Sequence, residues 1–419
     1  MAEQLYFSRD SKLFVEFKGG VWEIPVLDGF SFSQATNASE ITLSEMESTA
    51  GSSRRGRRIF NDSLAPAEWS FSTYMRPFKH DTSYTGEAAD STANNHHAVE
   101  EVLWAMMAGA NAYSSSAFNR GGNAVTTTDT TDLDVSFAQS NVSVLETGNL
   151  FFVINTDASD PMIYKLADAA VNEASIDFDV DGIATINWSG FAKQIFDWTG
   201  NTTVTGTDLT PGSGNVGNVQ IDDDTTPYQF KLVTDSSTLK TAIDEGTGDT
   251  DNFVRNRLTQ LAITANNTTT FPGANSNGVY NVTLTGGNIT IGNNITYLVP
   301  EEIGTVNVPI ENVTGSRTVT GNFTCYLVFD DGASNNGTSS DFFADLTSSS
   351  ALELVNNSFD LEFSIGGSSA PKIVVDMPKS HIEVPAHSIE DVISLETTFH
   401  GLGSNLGTAD EVTLKYFGP

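Results

Sequence analysis

What most constrains this chain is an order of short motifs that occurs twice. Val21-Trp22-Glu23-Ile24 leads to Gly29 and then Phe30-Ser31-Phe32, and Val279-Tyr280-Asn281-Val282 leads to Gly286-Gly287 and then Ile289-Thr290-Ile291. Phe71-Ser72-Thr73-Tyr74 is echoed by Phe323-Thr324-Cys325-Tyr326. Each echo precedes a helical stretch, and each helical stretch precedes a strand-like run, Leu150 to Ile154 and Phe359 to Ile365. Later, Ser175-Ile176-Asp177-Phe178 is matched with His381-Ile382-Glu383-Val384. No single match carries weight, but their shared order predicts duplication of a unit of about 170–200 residues. The expected division is a first domain over 1–199, a linker over 200–252 and a second domain over 253–419. The linker is rich in Thr, Gly and Asp, with one strand expected at Tyr228 to Val233.

Within each unit the pattern is that of strands. Phe30 and Phe32 alternate with Ser31 and Ser33, and Trp69, Phe71 and Thr73 with Ser70 and Ser72. Ile176, Phe178 and Val180 alternate with Asp177 and Asp179, Asp181-Gly182 supplies a tight turn, and Ile183 to Trp188 returns. One face of this hairpin packs on a core, and the carboxylate face must meet water or a lumen. A helix is expected from an Asn95 cap to a stop at Gly109, with Val99, Val102, Leu103 and Met106 on one side and Glu100 and Glu101 in its N-terminal half. It should lie on a sheet with its polar side outward. A second, weaker helix is expected over Asp341 to Thr347, with Phe343 and Leu346 on one side. The class is therefore mainly β, with one short helix per half.

Charge narrows the function. There are 53 acidic residues against 20 basic ones, a net charge of −33 in 419 residues. Tight nucleic-acid binding releases counterions only where Lys and Arg face the phosphates, so this balance argues against it. The 26 Phe and 39% hydrophobic content suffice for sizeable cores. The single cysteine, Cys325, excludes an internal disulfide framework and a zinc ribbon, and in its alternating stretch it reads as a packing residue. The opening residues have no basic-then-apolar leader, and no run of about 18 apolar residues occurs. The expectation is a soluble chain made in the cytoplasm, with no membrane association.

No catalytic constellation emerges. Gly212-Ser213-Gly214-Asn215-Val216-Gly217 has G-x-G-x-x-G spacing, but Thr210-Pro211 precedes it and more linker follows, so no helix is there to meet a phosphate. Asp177 to Gly182 opens like a calcium loop, yet Trp188 stands where a bidentate Glu is needed. There is no HExxH, GxSxG or P-loop pattern. Asp222-Asp223-Asp224 and Glu301-Glu302 read as solvated surface rather than a glycosidase pair. No cofactor and no metal are expected.

One stretch breaks the acidic background, Ser53-Arg54-Arg55-Gly56-Arg57-Arg58. It can be a solvated loop, a small nucleic-acid patch, or a dock for an acidic surface of an identical subunit. The last is preferred, because a very acidic chain with one basic loop suits head-to-tail self-assembly.

From Arg57-Arg58-Ile59-Phe60-Asn61-Asp62-Ser63-Leu64 through Ala67-Glu68-Trp69-Ser70-Phe71-Ser72-Thr73-Tyr74, the chain resembles the major tail tube proteins of long-tailed bacteriophages. The type is that of non-contractile siphophages whose tube protein holds two fused tube domains. Gly286 to Ile291, Asn293 to Leu298, Thr185 to Gly190, and Val384-Pro385 with Asp391-Val392 extend the resemblance to nearly all of the chain outside the linker. The linker is longer than the family pattern leads one to expect. With Pro419 soon after the second domain, the expectation is a chain without the immunoglobulin-like domain that some relatives append.

The resemblance implies two tandem β-sandwich domains, each with a flanking helix, contributing strands to a central tube barrel. Three chains would form a pseudo-hexameric ring, and rings would stack into a hollow tail tube. The implied partners are the chain itself, tail terminator and initiator or tail-tip proteins, a tape measure protein inside the tube, and viral DNA in transit without specific binding. The implied location is the virion tail, after assembly in the host cytoplasm. Arg54, Arg55, Arg57 and Arg58 fall in the loop that the family uses between subunits or rings. Asp177 and Asp179 are candidates for the lumen wall, with an outer-surface strand as the alternative. Two other classes stay open: a glycan-binding adhesin or tail-tip β-sandwich, and a carboxylate-dependent glycosidase.

Overall fold

In the computed structural model the alternating stretches are antiparallel strands, since one apolar face per strand can be buried only against another sheet or a helix. The structure describes residues 11–18, 20–27, 29–40, 59–79, 96–114, 117–119, 123–126, 132–137, 143–154, 162–198, 219–222, 229–232, 252–303, 305–329, 336–348, 358–389, 391–405 and 407–419. The arginine loop Arg54 to Arg58, Asn95 and the glycine motif at 212–217 lie outside these residues.

The first half contains β1 (Ser11–Phe17), β2 (Gly20–Ile24), β3 (Ser31–Glu40), β4 (Ile59–Tyr74), α1 (Glu101–Met107), β5 (Gly148–Ile154), β6 (Met162–Asp179) and β7 (Thr185–Ala192). The second contains β8 (Gln260–Ala265), β9 (Val279–Asn281), β10 (Leu284–Gly292), β11 (Thr318–Tyr326), α2 (Ser339–Leu346), β12 (Phe359–Ile365), β13 (Lys372–Ile382), β14 (Ala386–Ile389), β15 (Ile393–Gly401) and β16 (Thr413–Phe417). Shorter strands fill the connections.

The two sets pair in the same order. In the first half the ladder runs β2, β1, β5, β6, β7, β4, β3. In the second it runs β9, β8, β12, β13, β15, β11, β10. Register matches too: Trp188 faces Phe71 across β7 and β4, and Thr397 faces Phe323 across β15 and β11. Two expected echoes are displaced: Phe30–Phe32 corresponds to Gly287–Ile289, two residues before the expected Ile289–Ile291, and the later echo is displaced by five residues. Ser175–Asp177 pairs with Asn187–Thr185, and it is Ala386–Ser388 that pairs the same way with Glu396–Ser394. The long strand β6 thus corresponds to β13 and β14 together, interrupted near Pro385, which cannot donate to a ladder.

Large and small residues exchange places at one corresponding pair. The Trp69 ring lies over Gly190, where a Cβ would meet it at 2.4 Å, and the Phe399 ring lies over Gly321, where a Cβ would meet it at 2.5 Å. Either arrangement fills the same core space, because only the summed volume matters to close packing.

The helices differ from expectation in extent and surroundings: α1 starts only at Glu101, because His96–Ala98 is a strand paired with Pro77–Lys79. All seven residues of α1 are buried, including Glu101, so it is a core helix rather than one with a wet polar face. His97 Nδ1 lies 3.0 Å from Glu101 Oε2, and the Trp104 Nε1–H donates to Tyr416 Oη at 2.6 Å. The cover comes from β16, which pairs with β13 and with Leu133–Ser136 and so ties the halves together. The sequence pattern of α1 could not show this, because the strand that covers it is more than 300 residues away. Helix α2 starts two residues earlier than its apolar spacing suggested. Thr338 and Asp341 form a reciprocal capping box there.

Cys325 is buried on β11, and burial pushes its thiol up to about 12, consistent with a packing role. In the expected linker, Gln229–Leu232 is a strand as predicted, and it pairs with Val219–Asp222.

Candidate assembly surface

The candidate surface is a sheet face, built strand by strand. Beyond its bend, β6 pairs with β7 on one side and with β10 on the other. The ladder from Glu173–Gly292 to Asp179–Gly286 joins the two halves into one sheet ordered β3, β4, β7, β6, β10, β11, β15, β14. Apolar side chains of these strands, among them Phe71, Trp188, Ile176, Ile289 and Phe323, point into the core.

The other face is a polar row. Ser31 and Ser70 share a hydroxyl contact at 2.8 Å, Ser72 Oγ donates to Asn187 Oδ1 at 2.6 Å, and Asn187 Nδ2 donates to Asp177 Oδ2 at 2.6 Å. Across the junction, Ser175 and Thr290 hydroxyls lie 3.1 Å apart, and Asn288 Oδ1 accepts from the Asn322 amide at 3.2 Å. Glu68, Glu173, Asp177, Asp179 and Glu396 are exposed on it. The eight strands contain no Lys or Arg from residue 170 of β6 onward and throughout the others. Asp177 and Asp179, predicted as wall acids, therefore share one face with the Ser, Thr and Asn row. That row had a legible signal, the missing basic residues on alternating strands, which motif-by-motif reading passed over.

Among the described residues this sheet ends on two bare edges: strand β3 pairs with β4 alone, and β14 pairs with β15 alone. All four residues of β14 are exposed, as are most of β3. Open edges are templates for further pairing.

The loop between β10 and β11 carries a small hairpin, Thr296–Leu298 with Glu311–Val313. It lies against the first half: Tyr297 Oη donates to Asp168 O at 2.6 Å, Leu64 N–H donates to Asn307 O at 2.8 Å, and Asn293 Nδ2 donates to Met107 O at 2.9 Å. The arginine loop occupies the corresponding connection, between β3 and β4, outside the described residues. Among the described residues no cluster of His, Cys, Asp and Glu could hold a metal ion, and no helix is long and apolar enough to cross a membrane.

No protein-family model matches the chain. It is similar to tail tube protein pb6 of Escherichia phage T5, with 27% identity over 422 aligned residues that span 98% of this chain and 76% of that protein. The aligned span covers both halves of the chain. The chain is thus similar, along nearly its whole length, to a phage tail tube protein.

Proposed function

We propose that the chain polymerises with copies of itself into trimeric, pseudo-hexameric rings that stack into the tail tube, with the polar sheet face lining the channel. Residues 1–199 and 253–419 act as two copies of one tube domain, joined by 200–252. The observation that carries this reading is the β6–β10 ladder, an internal template for a contact between copies. Strand β10 corresponds to β3, and the end of β6 corresponds to β14, so the two bare edges are the unpaired halves of that same contact. Carried over in register, Ser175 opposite Thr290 becomes Ala386 of one copy opposite Ser33 of the next, and Asp177 opposite Asn288 becomes Ser388 opposite Ser31.

Eight wall strands per chain give 24 in a ring of three. At about 4.8 Å between strands and a tilt of about 40°, the backbone barrel is roughly 45–50 Å across, wide enough to pass a DNA duplex. A ring would carry about 99 negative charges before counterions bind. With a Debye length of ~10 Å near 0.1 M salt, wall acids such as Asp177 and Asp179 repel phosphates only close to the surface. DNA then slides without sticking. The rings would meet tail terminator, initiator and tape measure proteins in the virion, after assembly in the host cytoplasm. The similarity to a structural tail tube protein supports a role other than catalysis.

Negative-stain electron microscopy of the purified protein over a range of concentrations, beside virions of its source, tests the reading. Hollow tubes of stacked rings are expected. Absence of the protein from virion tails would overturn the proposal and promote the adhesin reading.

A further inference from the structure

The junction between the halves has a second component besides the ladder. Residues 252–259, just ahead of β8, lie across the turn that joins β6 to β7. The Ala184 amide donates to Val254 O at 2.8 Å, the Asn256 amide donates to Gly182 O at 3.2 Å, and Ile183 bridges to Arg255. The Phe253 ring meets Tyr74 edge-on at 5.4 Å, with the Arg76 guanidinium 5.1 Å from its centre. Under this strap, Val254, Met75 and Ala184 are fully buried.

The same surface exists on the second half. Met75 N–H donates to Ala184 O at 3.0 Å, and at the corresponding positions Leu327 N–H donates to Ile393 O at 2.9 Å. Tyr326 corresponds to Tyr74, Val328 to Arg76 and Val392 to Ile183. The local ladder runs one pair further here, to Ile389 with Ile393. No described segment crosses this surface. Ile393 is 38% exposed where Ala184 is 0%, and Tyr326, Val328, Phe329, Ile389 and Val392 are exposed beside it. A contiguous apolar patch of this kind on so acidic a chain marks an interaction site.

We propose that residues 4–9 of a second copy cover this patch, in the place that 252–257 takes within the chain. The inference rests on the ring reading. Leu13 corresponds to Leu261 in the two matching ladders, so counting back sets Leu5 against Phe253, Tyr6 against Val254 and Phe7 against Arg255. Residues 1–10 lie outside the described residues, and they supply the apolar run Leu5-Tyr6-Phe7 directly ahead of β1. A second copy is the occupant because the strap and the β6–β10 ladder are two parts of one junction, and both pass from the second half onto the first. Where β3 of one copy joins β14 of another, the residues ahead of β1 stand to the other copy's patch as 252–257 stands to the first-half turn.

Two cysteine pairs separate this inference from the ring itself. Antiparallel partners have Cα atoms about 4.5–5.5 Å apart, within disulfide reach. Ser33→Cys with Ala386→Cys reports the edge contact, and Phe7→Cys with Val392→Cys reports the strap. Both pairs are expected to give reducible links between chains in assembled protein under mild oxidation. A link from the first pair only, or a Phe7–Val392 link confined to single chains, overturns the strap and leaves the ring standing. Failure of both pairs overturns both. As a second measurement, Leu5→Asp with Tyr6→Asp leaves the described core untouched and should raise the concentration needed for assembly about tenfold or more. An unchanged threshold contradicts the strap.

Discussion

Glu100 opens the first-half helix and is fully buried, and that burial raises its pKa from 4.5 to about 7 despite the opposing pull of the Arg76 guanidinium. The folded chain therefore holds a proton on this carboxyl that the unfolded chain has released. Between pH 4.5 and about 7 the native state binds more protons, so stability from this group is present below 4.5 and is lost as pH rises through the folded value. A shift of this size corresponds to about 3 kcal/mol at most, at 1.36 kcal/mol per pH unit. Glu100→Gln keeps the shape and removes the charge. By calorimetry on protein in one assembly state, the variant should be the more stable at pH 8, by up to about 3 kcal/mol, with a melting point higher by several degrees. Near pH 4 the two should converge. A variant less stable than the parent by the same amount at both pH values would refute the reasoning, since the carboxylate would then be ionised and paired throughout.

Three further outcomes follow from the packing. Gly321→Ala should destabilise by about 2 kcal/mol or more and Phe399→Ala by about 3–5 kcal/mol, while the double variant costs less than their sum by about 1 kcal/mol, because the ring at 2.5 Å from the new Cβ is gone and only the Asn288 carbonyl at 2.2 Å still meets it. Strict additivity in urea unfolding would deny the ring-over-glycine contact. Thr338→Ala should cost about 1 kcal/mol by the same assay, through the lost capping box of α2, and a neutral result would remove that role. Asn293→Ala should cost about 2 kcal/mol, because its side-chain amide donates across the halves to Met107 O and Val171 O, both then left without that donor. Hydrogen exchange should show the loop from Asn293 to Thr314 losing protection first. Uniform loss over the chain would contradict a local tie.

Much of this architecture was legible in the chain because local patterns and their order agree. Trp22 and Tyr280, Phe71 and Phe323, and the runs at Leu150 and Phe359 all fall on corresponding strands. The hairpin through Asp181-Gly182 formed as its alternation required, with Gly182 at a φ of 112° that favours glycine. Legibility ended where a partner is distant in sequence. Glu101 reads as the wet side of a helix until β16 is seen to cover it. The echo of Ser175–Phe178 was misplaced because side-chain likeness favoured His381–Val384, whereas hydrogen-bond register selects Ala386–Ile389. The surface itself was read only at its acids. Ser31, Ser72, Asn187, Thr290 and Asn322 are unremarkable singly, and only strand pairing lines them up on one face free of Lys and Arg.

The central claim is that β3 of one copy continues the sheet from β14 of the next, closing at three chains. The most direct measurement is the size of the largest covalent species when assembled Ser33→Cys, Ala386→Cys protein is oxidised to completion, with buried Cys325 left in place. The account predicts a ladder of one, two and three chains that ends at three, all of it collapsing on reduction. A ladder that ends at another number, or links found only within single chains, would contradict it.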